Sequence, residues 1–130
     1  IDMLNLVHLT DGERILQSYP FQLSGGMQQR LAIALSLILK PSIVFADEPT
    51  SALDMLVQAS VLDLMKEVTQ ALGATVVIVT HNIKSAARIA NSIGVMNKGQ
   101  LVEVGSTEEV MACPKDEYTR VLLDSVTKVV

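Results

Sequence analysis

Two short apolar runs, Ile43–Ala46 and Val76–Val79, are the clearest pattern along the chain. Runs of this length, rich in β-branched residues, are typical of strands that are buried on both faces, as in a parallel sheet. Between them apolar residues recur every three or four positions, which predicts one long helix that ends at Gly73. These helical positions are Val57, Val61, Leu64, Met65, Val68 and Leu72. A strand, a crossover helix and a second strand form a βαβ unit, so the two strands are predicted to be parallel.

Another helix is predicted before the first strand. Ser24 is a good N-cap, and Lys40-Pro41 ends the helix because proline cannot continue it. The apolar face of this helix is predicted from the spacing of Met27, Leu31, Ala34, Leu35 and Ile38.

The C-terminal part of the chain reads as structural, and we assign it no chemistry. The pattern predicts a helix over Ile83–Ala90, a strand over Ser92–Met96 and, after a turn at Gly99, a hairpin strand over Leu101–Val104. A capping box of Ser106 and Glu109 opens a short helix, and a last helix runs from Glu117 to about Val126.

Composition narrows the class of protein. Apolar residues make up 49% of the 130 residues and mean hydropathy is +0.39, yet no apolar run reaches the roughly 18 residues that span a bilayer. The net charge of −4 and the aromatic content of 3% argue against nucleic-acid binding. A single cysteine, Cys113, excludes an internal disulfide. No signal peptide is visible, and the start at Ile1 within a helix-like pattern suggests a segment of something longer.

Two adjacent carboxylates, Asp47 and Glu48, follow the first strand directly. Open parallel sheets bind ligands beyond the carboxyl ends of their strands, so these acids stand where chemistry is expected. Pro49 stops the strand, and Thr50 or Ser51 can cap the next helix. One acid could hold a magnesium ion while the other orients a water molecule. The alternative interpretation is an acidic turn without chemistry.

Two further segments bear on phosphate binding. Ser24-Gly25-Gly26 opens a helix with free N–H groups, the positive end of the dipole and room for close approach, although a plain helix cap has the same appearance. His81 follows the second strand and is expected at the same edge of the sheet as Asp47 and Glu48. There it becomes a candidate for contacting a phosphate, although a histidine after a strand is more often a helix cap or a surface residue.

Taken together, these segments resemble the nucleotide-binding subunit of an ATP-binding cassette (ABC) transporter. Leu23–Arg30 resembles the signature motif, Ile43–Glu48 the Walker B strand, Ser51–Asp54 the D-loop and Val79–His81 the switch-histidine segment. The resemblance covers about 20–105, in the family's order and spacing. Met27 and the tail from Pro114 to Leu123 are similar to importers of the oligopeptide, dipeptide and nickel type.

The resemblance implies a role for each matching residue and for two cofactors, ATP and Mg²⁺. Asp47 would hold magnesium through water, and Glu48 would polarise the attacking water as general base. His81 would contact the γ-phosphate. ATP held on the opposite subunit would be bound by Ser24, Gly25, Gly26 and Gln28. Asp54 would join the two half-sites.

The resemblance also implies partners and a location. The partners would be a second nucleotide-binding subunit, as a homodimer or heterodimer, and transmembrane permease subunits, but no nucleic acid. The location would be the cytoplasmic face of the cell membrane. A soluble ATPase of chromosome maintenance or translation and a degenerate, non-catalytic interaction module are the alternatives. The acidic charge speaks against the former, and the presence of Glu48 and His81 against the latter.

One departure from the family matters. A P-loop ends in Gly-Lys-Ser/Thr, and none of the seven glycines here precedes a lysine, so Walker A is absent from these residues. We therefore expect a P-loop NTPase-like α/β fold, with a mostly parallel sheet flanked by helices but lacking the Walker A strand. Residues 1–40 would end a helical subdomain, and residues 41–130 would form the C-terminal part of the ATPase core.

Two consequences follow from this departure. The 130-residue chain alone is expected to be inactive. The strand over Val76–Val79 is expected to have an unpaired edge and uncovered apolar side chains, with the gap closed by collapse, strand exchange or dimerisation.

Overall fold

The computed structural model describes residues 1–51 and 53–127, with only the backbone of residues 126 and 127. Ala52, which belongs to the predicted D-loop, lies outside this part. The chain divides into a first compact unit, Ile1–Val79, and a second unit that begins at Thr80. The subdomain boundary after residue 40 remains a prediction.

The elements follow the predicted order closely. In the first unit they are α1 (Asp2–Leu6), α2 (Gly12–Gln17), a 3₁₀ turn (Pro20–Gln22), α3 (Gly25–Leu37), β1 (Ile43–Asp47), α4 (Met55–Leu72) and β2 (Thr75–Val79). In the second unit they are α5 (Ile83–Ile89), β3 (Ser92–Asn97), β4 (Gln100–Ser106), α6 (Thr107–Ala112) and α7 (Glu117–Thr127).

The βαβ unit is confirmed. Strands β1 and β2 pair in parallel, in register from Ile43 opposite Thr75 to Asp47 opposite Val79. Helix α4 turns all six predicted apolar positions toward the core of the first unit. It ends at Gly73, whose φ of 66° lies in the left-handed region that glycine adopts without strain. The α/β class predicted from the sequence is therefore the observed one.

The prediction that β1 and β2 are buried on both faces is wrong. Burial alternates along each strand: Val44, Ala46, Val76 and Ile78 pack on the core, while the residues between them are exposed. Phe45 is 77% exposed, and Val79 is 58% exposed. The reason is that the helices of the first unit cover one face of this two-stranded sheet, and nothing in the described residues of that unit covers the other.

The predicted apolar face of α3 is only partly right. Ile33, Ala34 and Leu37 are buried, and Met27 and Leu31 pack against the core, but Leu35 and Ile38 are 63% and 57% exposed. The second half of α3 is apolar at almost every position, so periodicity could not select the buried side. Packing against α4 and α1 selects it instead.

The second unit is built on the antiparallel pair β3–β4, which form the predicted hairpin. Its core contains Ile93, Val95 and Val110. The capping box is confirmed, since the Glu109 N–H donates to Ser106 Oγ and the Ser106 N–H donates to the Glu109 carboxylate. Across the described ranges, no helix has the length and apolar character that a membrane crossing requires.

Candidate functional site

The acids at the end of β1 occupy a turn with a defined backbone. The Glu48 N–H donates to the carbonyl of Val79 (2.8 Å), and the Ser51 N–H donates to the carbonyl of Glu48 (3.2 Å). Glu48 has a φ of 45°, which is uncommon for a residue with a side chain. Asp47 is exposed and Glu48 is half-buried. The turn therefore presents two consecutive carboxylates beyond the carboxyl edge of the parallel pair.

The cap of α4 differs from the prediction. Neither Thr50 nor Ser51 caps this helix, because the chain continues through a turn, with the Leu53 N–H donating to the Thr50 carbonyl. Asp54 is the N-cap, and its Oδ1 accepts the N–H groups of Leu56 (3.1 Å) and Val57 (3.0 Å). The carboxylate predicted to join two half-sites is thus fixed at the start of a long helix.

The start of α3 is capped by Ser24 as predicted, while its binding of an anion stays a prediction. Ser24 Oγ accepts the Met27 N–H (3.3 Å), which leaves its own hydroxyl proton free to be donated. The amides of Gly25 and Gly26 belong to the first turn, where a helix offers no acceptor. A Cβ on Gly25 would meet nothing within 4 Å, and one on Gly26 would lie 3.7 Å from a methyl of Val57. Space for a close approach is present at Gly25.

Gln28, a predicted ATP-binding residue, makes bonds within its own chain. Its side-chain Nε2 donates to the carbonyls of Pro20 (2.7 Å) and Leu23 (3.1 Å). These bonds fix the 3₁₀ turn against the first turn of α3. Gln28 is exposed, so its ligand role stays a prediction.

Gln29 is the residue that sequence reasoning missed. Its side-chain Nε2 donates to the carbonyl of Pro49, so the signature helix is bonded to the turn that carries the two acids. Both residues also line a depression of about 200 Å³ between α3 and β1, together with Asp47. Gln29 falls within the Leu23–Arg30 segment, but neither that resemblance nor periodicity assigns its side chain a partner, and the bond spans twenty residues.

His81 lies in the second unit, and the other seven predicted site residues lie in the first. It is exposed and precedes the N-cap of α5. That cap is Asn82, whose Oδ1 accepts the N–H groups of Lys84 (3.1 Å) and Ser85 (3.2 Å). His81 therefore does not cap the helix. Its predicted contact with a phosphate stays a prediction.

The donor set suits magnesium bound together with a nucleotide. Among the described residues, no three His, Cys, Asp or Glu side chains are grouped as an all-protein metal cage would require. Mg²⁺ ordinarily uses one or two carboxylates, several waters and the phosphates of its substrate, which a single acid such as Asp47 can satisfy. The fold is thus that of an α/β protein, with two acids at the carboxyl edge of its parallel strand pair.

Comparisons with known proteins point to one family. The sequence model of the ABC transporter family matches residues 1–51. The dipeptide transport ATP-binding protein DppD of Caldanaerobacter subterraneus is 46% identical over 128 residues, covering 98% of this chain and 39% of that protein. The oligopeptide transport ATP-binding protein AmiE of Streptococcus pneumoniae is 42% identical over 126 residues, covering 97% and 36%. The glutathione import ATP-binding protein GsiA of Escherichia coli is 43% identical over 124 residues, covering 95% and 20%.

These matches confirm the predicted resemblance. The chain is related in sequence, over almost its whole length, to a segment of ABC transporter ATP-binding proteins of the peptide-import type. It spans about two fifths of the length of the first relatives it matches.

Proposed function

We propose that this chain is part of an ATP-hydrolysing subunit of an ABC transporter that imports peptides. The observation that carries the proposal is the turn after β1, where Asp47 and Glu48 follow a strand paired in parallel with β2. The names of the relatives support peptide import, since they describe transport of dipeptides, oligopeptides and glutathione.

In this proposal the residues keep the roles that the resemblance implies. Asp47 holds Mg²⁺ through water, Glu48 accepts a proton from the attacking water, and His81 contacts the γ-phosphate. The start of α3, with Ser24, Gly25, Gly26 and Gln28, binds ATP held on a second nucleotide-binding subunit. Asp54 joins the two half-sites. The geometry of the Ser24 hydroxyl and the open space at Gly25 supports the phosphate contact.

The proposal extends to partners, location and subdomains. The subunit works with a second nucleotide-binding subunit and with permease subunits, at the cytoplasmic face of the membrane and without nucleic acid. Residues 1–40 end its helical subdomain, and residues 41–130 belong to its ATPase core. The phosphates of its own ATP require a P-loop, which these 130 residues do not contain.

Hydrolysis by the whole subunit, assembled with its permease, tests the function. Glu48→Gln removes the proton acceptor and keeps the shape of the side chain. We expect kcat to fall by about a hundredfold or more, which is the usual contribution of a positioned general base. Asp47→Asn is expected to raise the Mg²⁺ concentration that half-saturates the rate. A Glu48→Gln subunit as active as the unsubstituted one would refute the proposal.

Calorimetry on the 130-residue chain separately tests whether these residues, which contain no P-loop, bind ATP. We expect no ATP binding in the micromolar range, because neither the amides nor the lysine of a P-loop are available to cradle the phosphates. Micromolar binding of ATP to this chain alone would contradict that expectation, while leaving the role of Glu48 to the kinetic test.

A further inference from the structure

The bond from Gln29 to Pro49 joins the two chemically distinct parts of the first unit. Gln29 lies one helical turn beyond Gly25, the first residue of α3. Pro49 lies directly after Glu48 and has no N–H, so its carbonyl is the only backbone polar group it offers. The side-chain amide of Gln29 satisfies that carbonyl, and the bond is partly buried and so partly shielded from competing water.

The turn that receives this bond holds Glu48 in an uncommon conformation. A φ of 45° costs on the order of 1 kcal/mol or more for a residue with a side chain, and it persists only where neighbouring contacts enforce it. The Glu48 N–H and C=O are both engaged, with Val79 and Ser51. The bond from Gln29 to the next carbonyl along the chain therefore adds to the contacts that fix the direction of Glu48.

On the α3 side, the turn borders an open depression. The depression of about 200 Å³ beside Gln29, Asp47 and Pro49 leaves that side incompletely packed. Where packing is incomplete, one directional bond determines more of the local geometry. Movement of α3 along or about its axis would thus act on the acid turn through Gln29.

We propose that Gln29 is a positioning residue that couples the start of α3 to Glu48. When the Ser24–Gly26 turn binds its phosphate, α3 is held in place and Gln29 keeps Glu48 in the direction that suits attack by water. This inference rests on the proposed function and adds to it a regulatory link within one chain, from the signature turn to the general base.

The test uses the whole subunit assembled with its permease and measures kcat and KM for ATP. Gln29→Met keeps the length of the side chain and removes the donor, and Gln29→Glu keeps the shape and removes the donor. We expect each to lower kcat by about tenfold, with KM within about twofold, because a lost orientation of the base affects the chemical step and not the binding of ATP. If Gln29→Met fails to fold, Gln29→Glu serves alone.

Thr69→Val is the matched control. Thr69 lines the same depression, and its hydroxyl donates to the Met65 carbonyl (2.6 Å) within α4, away from the acid turn. Its loss is expected to lower the melting temperature without changing kcat more than about twofold. A purely structural role for Gln29 would make its variants behave like Thr69→Val, and that result would overturn the inference.

A double-mutant cycle decides whether Gln29 acts through Glu48. In the Glu48→Gln background, Gln29→Met is expected to have little further effect, because residues that act as a unit are not additive. If the fold reductions in kcat of the two single variants multiply in the double variant, the coupling is overturned. Failure of the proposed function would give a different result: the unsubstituted subunit would hydrolyse no ATP, or Glu48→Gln would leave hydrolysis unchanged.

Discussion

Glu103 shows how one buried carboxylate organises the second unit. It is 9% exposed, and its two oxygens accept the N–H groups of Lys115 (2.9 Å) and Asp116 (3.0 Å) just before α7. The pKa of Glu103 is lowered, most strongly by the Lys115 N–H and then by the Thr119 hydroxyl and the Asp116 N–H. The ionised carboxylate therefore anchors β4 to the start of α7.

A pH-dependent loss of stability follows from this arrangement. A lowered pKa in the folded state means that Glu103 stabilises the fold above its unfolded pKa of about 4.5, and that this contribution disappears as the pH falls through the lower folded pKa. Glu103→Gln is expected to lower the melting temperature at pH 7 by several degrees and to approach the unsubstituted protein as the pH falls below about 4. Thermal unfolding between about pH 3 and pH 8 measures the difference, and a difference independent of pH would contradict the assignment.

At the scale of single elements, caps explain where the helices begin and end. Ser24, Asp54, Asn82 and Ser106 each accept an N–H of the first turn that follows. Gly73 ends α4 in the left-handed region. Each cap is a local property of a few residues, so most were visible in the sequence.

Gly73→Ala tests the C-terminal cap of α4 without introducing a clash. A Cβ on Gly73 would meet nothing within 4 Å, so the expected loss of about 1 kcal/mol in the free energy of unfolding comes from the backbone conformation alone. Gly25→Ala is the matched control, because its added Cβ also meets open space and its backbone is helical. We expect it to be neutral or stabilising in urea unfolding. Equal losses for both variants would contradict the explanation.

The sequence predicted local features well and long-range ones less well. The order of elements, the parallel pairing and the capping box depend on short patterns and were predictable. The tie between Gln29 and Pro49 and the bonds of Glu103 join residues that are distant in sequence, and no spacing rule marks them. The prediction that β1 and β2 are buried on both faces failed for a physical reason. An apolar run indicates that the segment favours a strand, but it does not indicate how many layers of structure cover that strand.

At the scale of the whole molecule, the exposed apolar face of the β1–β2 sheet is the feature that most favours association with another chain. Ile43, Phe45, Val77 and Val79 form this face, and all are at least 41% exposed. Among the described strands, β1 and β2 pair only with each other, so each also has an open edge. Apolar faces with open edges favour association with another chain.

Self-association of the 130-residue chain is therefore expected, with a sedimentation coefficient that rises with protein concentration. Phe45→Ser is expected to weaken this association because it removes the most exposed apolar side chain of the sheet face. Phe21→Ser is the matched control, since Phe21 is 81% exposed but lies in the 3₁₀ turn. A chain that stays monomeric at high concentration, or an equal effect of the two variants, would contradict the role of the sheet face.

The left-handed backbone at Glu48 also bears on how such a chain evolves. Glycine would adopt this conformation without strain, so drift toward greater stability alone would favour glycine there. A glutamate at such a place carries a backbone cost that glycine would not have. On the proposed role of Glu48 as general base, homologues that do not hydrolyse ATP are expected to be enriched in glycine at this position, and the substitution is expected to raise their melting temperature.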